Sequence, residues 1–269
     1  AKARFKEISS ELSRLSSQFE ENLLDATNAW HKRITERRDL AGLPESAIAL
    51  AKHLAEERGL EGWVLTWDLP CYLPVMKHAE DRSLRRTLYE AYTTRASDQG
   101  PNAGRWDNSQ IIDDLLALRH EQAQLLGFEN FAEVSLAPKM ARSTVEVMAF
   151  LKDLARRSAP QARREFEEVQ RYARENGGPG QLEAWDLPFW SERLRQARYA
   201  ISDEELKPYF SLDRVLEGLF TIAHRLFDVR IGQAENPELW HPDVRFYEIT
   251  DEQGELIAQF YLDPFARQK

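Results

Sequence analysis

The sequence predicts a mainly α protein: a bundle-like array of many helices with one small antiparallel β element, a hairpin near residues 244–262. Two observations predict this class. Apolar residues recur at three- and four-residue steps through most of the chain, which is the period of an amphipathic helix. Only near the end of the chain do two short apolar runs flank a turn signal, as the strands of a hairpin do.

The N-terminal part of the chain predicts two helices. The first has one apolar face, formed by Phe5, Ile8, Leu12, Leu15, Phe19 and Leu23. Its polar face mixes Glu with Lys and Arg, so we expect this helix to pack on a core and not on a membrane surface. The second is expected to begin after Pro44, which suits a first turn, and to end near Arg58, where Gly59 stops it.

The amino-acid composition changes after these two predicted helices. Residues 63–67 are rich in β-branched and aromatic side chains and predict a short strand. Pro70 and Pro74 then predict an extended crossing, because proline lacks the amide that a helix interior needs. Asp81 is expected to open the next helix, and residues 99–104 have the composition of a linker.

The longest predicted helix begins in the middle of the chain. Ser143 and Glu146 have the spacing of a capping box and predict its start. Pro160 should kink or interrupt it. The Asn-Gly-Gly-Pro-Gly sequence at residues 176–180 predicts its end.

Three further helices surround this long one in sequence. One is expected between its cap, Asp107 or Asn108, and Gly127. Another is expected to open with Asp186 as its cap and Pro188 in its first turn. The third has an apolar stripe formed by Val215, Leu216, Leu219, Ile222, Ala223 and Leu226. Residues 227–231 after it are expected to form a strand that leads to the hairpin.

The predicted hairpin turns at residues 251–254, where Gly254 suits the left-handed conformation of a four-residue loop. Its strands are the apolar runs Val244–Ile249 and Leu256–Leu262. The second run is apolar on both faces, so it should be covered on both sides. Nothing follows Lys269 to cover it, and we therefore expect that the chain has been cut from a longer one.

Charge and composition exclude several classes of partner. With 45 acidic and 36 basic residues the formal charge is -9, so no nucleic-acid partner is expected. No apolar run approaches the ~20 residues that span a bilayer, and residues 1–10 lack the apolar core of a signal peptide, so no membrane partner is expected either. The single cysteine, Cys71, excludes an internal disulfide and suits a reducing compartment.

Several stretches resemble the thimet-oligopeptidase-like zinc metallopeptidases, most closely the bacterial oligopeptidase A branch. They are residues 62–98, residues 107–155, the Ala-Trp-Asp at 184–186 and the hairpin sequence at 240–267. The resemblance implies a cytoplasmic, zinc-dependent endopeptidase that hydrolyses short peptides. It also implies a boundary near residue 80: residues 1–80 would end an N-terminal helical region, and residues 81–269 would begin the catalytic domain.

A zinc peptidase of this kind needs His-Glu-x-x-His, which presents two imidazoles to one ion. His120 and Glu121 come closest, but Gln124 stands where the second His should be, so we expect His120 to be a helix-surface residue. His53 lacks its partner too, and the remaining histidines are His31, His78, His224 and His241. The sequence therefore predicts no catalytic, cofactor-binding or metal-binding residue here, and no zinc bound to this chain.

Three features leave other interpretations open. Cys71 is expected to be a core thiol and not a nucleophile, because no His or Asn can be assigned to it. The aromatic group Trp185, Phe189 and Trp190 should belong to the core, with channel lining as the alternative. The hairpin edge could bind an extended peptide or a second copy of the chain. A helical peptide-binding or scaffold module without catalysis is therefore the alternative to an inactive peptidase fragment.

Overall fold

The computed structural model describes residues 1–200, 203–235 and 237–265, and the mainly α class is confirmed over them. The helices are α1 (Lys2–Ala29), α2 (Glu45–Glu57), α3 (Leu69–His78), α4 (Arg82–Thr93), α5 (Ser109–Leu125), α6 (Phe131–Leu136), α7 (Thr144–Glu175), α8 (Leu187–Tyr199), α9 (Asp203–Leu206) and α10 (Leu212–Phe227). The strands are β1 (Lys32–Ile34), β2 (Trp63–Leu65), β3 (Arg230–Gln233), β4 (Arg245–Thr250) and β5 (Leu256–Leu262).

The chain divides into two compact units, residues 1–194 and 195–269. The main core of the first unit is built from α2, α3, α4 and the antiparallel pair of β1 and β2. Its aromatic rings are stacked: Trp30 lies on Trp67 with ring centroids 4.6 Å apart, and Tyr72 lies on Tyr92 at 4.4 Å. The strand predicted at residues 63–67 is confirmed as β2.

Helix α1 packs along α5, as its apolar face predicted. Ile8 and Leu15 of that face are buried. Asn108, directly before the first residue of α5, donates a side-chain hydrogen bond to the carbonyl oxygen of Phe19 in α1 at 3.1 Å. Asn108 holds the N-cap position of α5 without a side-chain capping bond, and the carboxylate of Asp107 before it accepts from the amide of Ser109 at 2.9 Å.

The extended crossing predicted from Pro70 and Pro74 is wrong, because Leu69–His78 forms α3. Pro70 lies in the first turn, where the amide has no intrahelical partner in any case. Pro74 removes one interior hydrogen bond, but the helix buries one whole face in the core, and this packing outweighs the loss. The buried side chains of that face are Cys71, Tyr72, Val75 and Met76.

Of the kink or interruption predicted at Pro160, the interruption is wrong, since α7 is one helix of 32 residues that includes Pro160. The predicted capping box is confirmed at its start: the Ser143 hydroxyl accepts from the Glu146 amide at 3.2 Å. The Glu146 carboxylate accepts in turn from the amide of Arg142 at 2.9 Å. Fixed at this end and packed on α8 at the other, α7 tolerates the single hydrogen bond that proline removes.

The second unit contains the predicted hairpin, extended by one strand. Strands β3, β4 and β5 form an antiparallel sheet in that order, with β4 in the centre. The hairpin turn has the predicted chemistry: Gly254 has a φ of 88° and its amide donates to the carbonyl of Asp251 at 3.2 Å. Helix α10 covers one face of the sheet, where the ring of Phe220 meets Tyr247 edge to face at 5.2 Å.

Candidate functional site

The histidines are not arranged as a metal site. His120 is exposed on α5, as predicted, and His53 on α2 pairs with Glu57 at 3.2 Å. Over residues 1–200, 203–235 and 237–265, no three His, Cys, Asp or Glu side chains come together in a group that could hold a metal ion. The donor groups of this part of the chain therefore do not fit zinc.

The predicted core residues are where the sequence placed them. Cys71 is buried, and its Sγ accepts a hydrogen bond from the amide of Thr66 at 3.3 Å. Burial raises the pKa of this thiol and so disfavours the nucleophilic thiolate. Phe189 and Trp190 are buried edge to face, 5.3 Å apart, in the small core between α7 and α8. The interpretations of Cys71 as a core thiol and of Phe189 and Trp190 as core aromatics are confirmed, and the third ring, Trp185, is partly buried against the main core.

The strongest concentration of buried charge lies between α4 and the start of α8. The Asp186 carboxylate has 0% exposure and is held by two arginines of α4. Arg82 donates to both of its oxygens, with Nε 2.9 Å from Oδ1 and Nη2 2.7 Å from Oδ2. Arg85 donates from Nη2 to Oδ1 at 3.1 Å, and the amide of Glu183 donates to Oδ2 at 3.0 Å. We call Arg82, Arg85 and Asp186 the ion cluster.

Backbone carbonyl groups and an aromatic ring also contact the arginines of the ion cluster. The side chain of Arg85 is only 3% exposed, and its Nη1 donates to the carbonyl of Ala79 at 2.6 Å. Its guanidinium also lies 4.1 Å from the ring centroid of Phe189, in cation–π contact. Arg82 is 47% exposed and reaches water on its other side. The cluster therefore joins α4 to the start of α8 through charges that water screens only in part.

Asp186 stands directly before α8, at the predicted cap position, but its side chain makes no capping bond to the helix. Its side chain turns into the ion cluster, and only its carbonyl serves the helix, accepting from the amide of Trp190 at 3.0 Å. A cap and a buried ion-pair member have the same local sequence, an Asp before a helix. The arginine partners lie about a hundred positions earlier, so periodicity within one helix could not reveal them.

The charge state of Asp186 gives a pH prediction. Burial alone would raise its pKa, but hydrogen bonds from Arg82, the Glu183 amide and Arg85 outweigh burial and lower it below its usual range. A lowered folded-state pKa adds stability that is fully present above the unfolded pKa of about 3.9 and is lost as pH falls through the folded pKa. In urea unfolding from pH 7 to pH 3, the stability difference between wild type and Asp186→Asn should be constant above about pH 5 and shrink below it. A difference that grows towards acid would contradict this assignment.

Besides the ion cluster, the open sheet edge formed by β5 is a candidate functional surface. One edge of this strand pairs with β4, and no strand among the described residues pairs with the other. Both faces carry aromatic contacts, as the sequence predicted: Phe260 stacks on Tyr247 at 5.3 Å, and Tyr261 lies 4.4 Å from Phe246. The strand has no charged side chain. Such an edge offers unpaired main-chain donors and acceptors beside apolar side chains.

Comparison with known proteins decides the family. The model of peptidase family M3 matches residues 75–269, which is more than half of the chain and includes both the ion cluster and the sheet with the open edge. The chain belongs to peptidase family M3. The resemblance found in the sequence is thereby confirmed.

Curated members of peptidase family M3 cover almost the whole chain. Oligopeptidase A of Escherichia coli (strain K12) is 49% identical over 98% of this chain. Oligopeptidase A of Haemophilus influenzae is 48% identical over 98%, and the organellar oligopeptidase A of Arabidopsis thaliana is 44% identical over 98%. The chain spans only 39% of the two bacterial relatives and 34% of the plant one. No helix among the described residues is long and apolar enough to cross a membrane.

Proposed function

We propose that residues 1–269 are a fragment of a zinc-dependent oligopeptidase that, when intact, hydrolyses short peptides in the cytoplasm. We propose also that they do not catalyse alone, because the zinc ligands and the catalytic glutamate belong to sequence outside them. One observation carries this proposal: the chain is 49% identical to E. coli oligopeptidase A along 98% of its length while spanning 39% of that protein. The boundary near residue 80, between residues 1–80 and residues 81–269, is part of the same proposal.

A chimera tests the proposal directly. Residues 1–269 would replace the matching 39% of E. coli oligopeptidase A, and cleavage of a quenched fluorescent peptide would be followed with zinc and with a chelator. We expect the chimera to cleave the peptide in a chelator-sensitive way and residues 1–269 alone to leave it uncut. Chelator-sensitive cleavage by residues 1–269 alone would refute the proposal, and so would a folded chimera without cleavage.

The open edge of β5 supports a second candidate, a peptide-binding module without catalysis. An extended peptide could add to this edge through main-chain hydrogen bonds. In a titration followed by fluorescence anisotropy, an unstructured peptide should then bind, and the same peptide with alternate amides N-methylated should not. No binding at millimolar peptide, or equal binding of both peptides, would remove this candidate.

Self-association through the same edge is the remaining proposal about partners. A long, uncharged edge strand pairs readily with a second copy. Sedimentation velocity should show a concentration-dependent dimer, and Ala258→Lys, at an exposed position of β5, should abolish it. Lys52→Ala, on the exposed face of α2, is the control and should leave the dimer unchanged. A chain that stays monomeric at all concentrations would contradict self-association.

A further inference from the structure

Helix α10 has two apolar faces, and the sheet uses only one of them. Phe220 lies on the face that meets Tyr247 of the sheet. The other face carries an exposed row, which we call the outer stripe: Val215, Leu219, Ile222 and Leu226, with 48% to 68% of each residue's surface exposed. Its members follow one another at steps of four, three and four residues, the spacing with which one helix packs along another.

A glycine beside the outer stripe has no explanation within the described chain. Gly218 lies inside α10, where glycine weakens a helix relative to alanine. A Cβ built at this position would meet no described atom within 4 Å, so packing inside the unit does not require the missing side chain. A missing side chain next to an apolar stripe allows the backbone of another helix to approach closely.

The charge along the same border is positive. Arg214, Gly218, Thr221 and Arg225 form a row parallel to the outer stripe, with the same steps of four, three and four residues. A helix lying on the stripe would therefore have its flank between the two guanidinium groups. Acidic side chains on that flank would complement them.

We propose that the outer stripe packs against an amphipathic helix with an acidic flank, contributed by the part of a family-length chain outside residues 1–269. This proposal rests on the proposed function. The chain spans 39% of E. coli oligopeptidase A, and the partner helix would come from the other 61% (100 − 39) of a protein of that length. Gly218 marks the closest approach of the two helices, and Arg214 and Arg225 face the acidic flank. This contact covers the exposed side chains of the outer stripe.

Thiol labelling in the chimera described above tests the contact. Cys71 is buried, so a thiol introduced by Leu219→Cys is the reactive one in the isolated chain. Glu217→Cys, at an exposed position on the polar side of the same helix, is the control. Both thiols should react with a maleimide at similar rates in the isolated chain. In the chimera, labelling at position 219, read by peptide mass mapping, should slow at least tenfold while labelling at position 217 does not. Equal rates in the chimera would overturn the proposal.

Gly218→Leu gives a second test with opposite signs in the two settings. In isolated residues 1–269 it should keep or raise the melting temperature, because leucine favours a helix and the site is open. In the chimera it should lower the melting temperature, because the side chain blocks the approaching helix. A lowered melting temperature of the isolated chain would overturn the proposal without any use of the chimera.

The outcomes separate this proposal from the proposed function. A chimera that cleaves peptides while the thiol at position 219 still reacts quickly contradicts the helix contact and leaves the function standing. A protected thiol in a chimera that does not cleave peptides supports the contact and contradicts the function.

Discussion

Asp186→Ala is expected to lower the free energy of unfolding by about 3–5 kcal/mol, the usual loss when one member of a buried ion pair is removed. The guanidinium of Arg82 can turn to water, because its side chain is 47% exposed. That of Arg85 cannot, because its side chain is 3% exposed, and it would remain as a charge without its carboxylate. Urea unfolding at pH 7, followed by circular dichroism, measures the loss.

A matched control lies on the surface of α7. Asp153 also pairs with two arginines, Arg156 and Arg157, but all three side chains are exposed. Asp153→Ala should cost less than about 1 kcal/mol, because water screens the pair. Adding Arg85→Met to Asp186→Ala should recover part of the large loss, since the double variant no longer buries an unpaired charge. Equal losses for Asp186→Ala and Asp153→Ala would contradict the ion cluster as a buried link between α4 and α8.

Gly62→Ala should destabilise the first unit by roughly 3 kcal/mol or more, through strain at a special backbone position. Gly62 has a φ of +94°, which side chains of L-residues rarely adopt. A Cβ there would lie 2.2 Å from the carbonyl oxygen of Ile34, so the backbone of β1 would have to move. Ile34 pairs with Trp63 in the small sheet, and the damage should reach that pairing. Thermal unfolding gives the loss.

Gly59→Ala separates conformational strain from steric conflict. Gly59 also has a positive φ, +65°, but a Cβ there meets no described atom within 4 Å. Its replacement should cost only the left-handed strain of about 1–2 kcal/mol. If both variants lost the same stability, the close approach of Gly62 to β1 would play no part.

Local chemistry predicted much of the fold. Sequence patterns predicted three local features: the capping box at Ser143, the turn at Gly254 and the cap at Asp81. Each of them depends on residues within four positions of one another. The extended segment predicted from the two prolines of α3 is wrong because that prediction, too, used only neighbouring residues. Their local cost is real, but the burial of one helix face against distant elements outweighs it, and no window of sequence contains that face's partners.

The ion cluster shows the limit more clearly. Asp186 and Arg85 stand 101 positions apart, and each is ordinary in its own surroundings. The strand predicted at residues 227–231 overlaps β3, Arg230–Gln233, but its bounds are wrong, because four residues that include Gly232 give too short an alternation to fix them. The absence of a zinc-peptidase motif, by contrast, is visible in the sequence itself: no His-Glu-x-x-His occurs in the 269 residues.

We propose above all that the groups that bind zinc and act with it in this family lie outside residues 1–269. Equilibrium dialysis of the purified 269-residue chain against micromolar zinc tests it most directly, with bound metal counted per chain. We expect no stoichiometric zinc at pH 7. One zinc bound per chain, lost on His120→Ala or on replacement of another of its histidines, would contradict the claim.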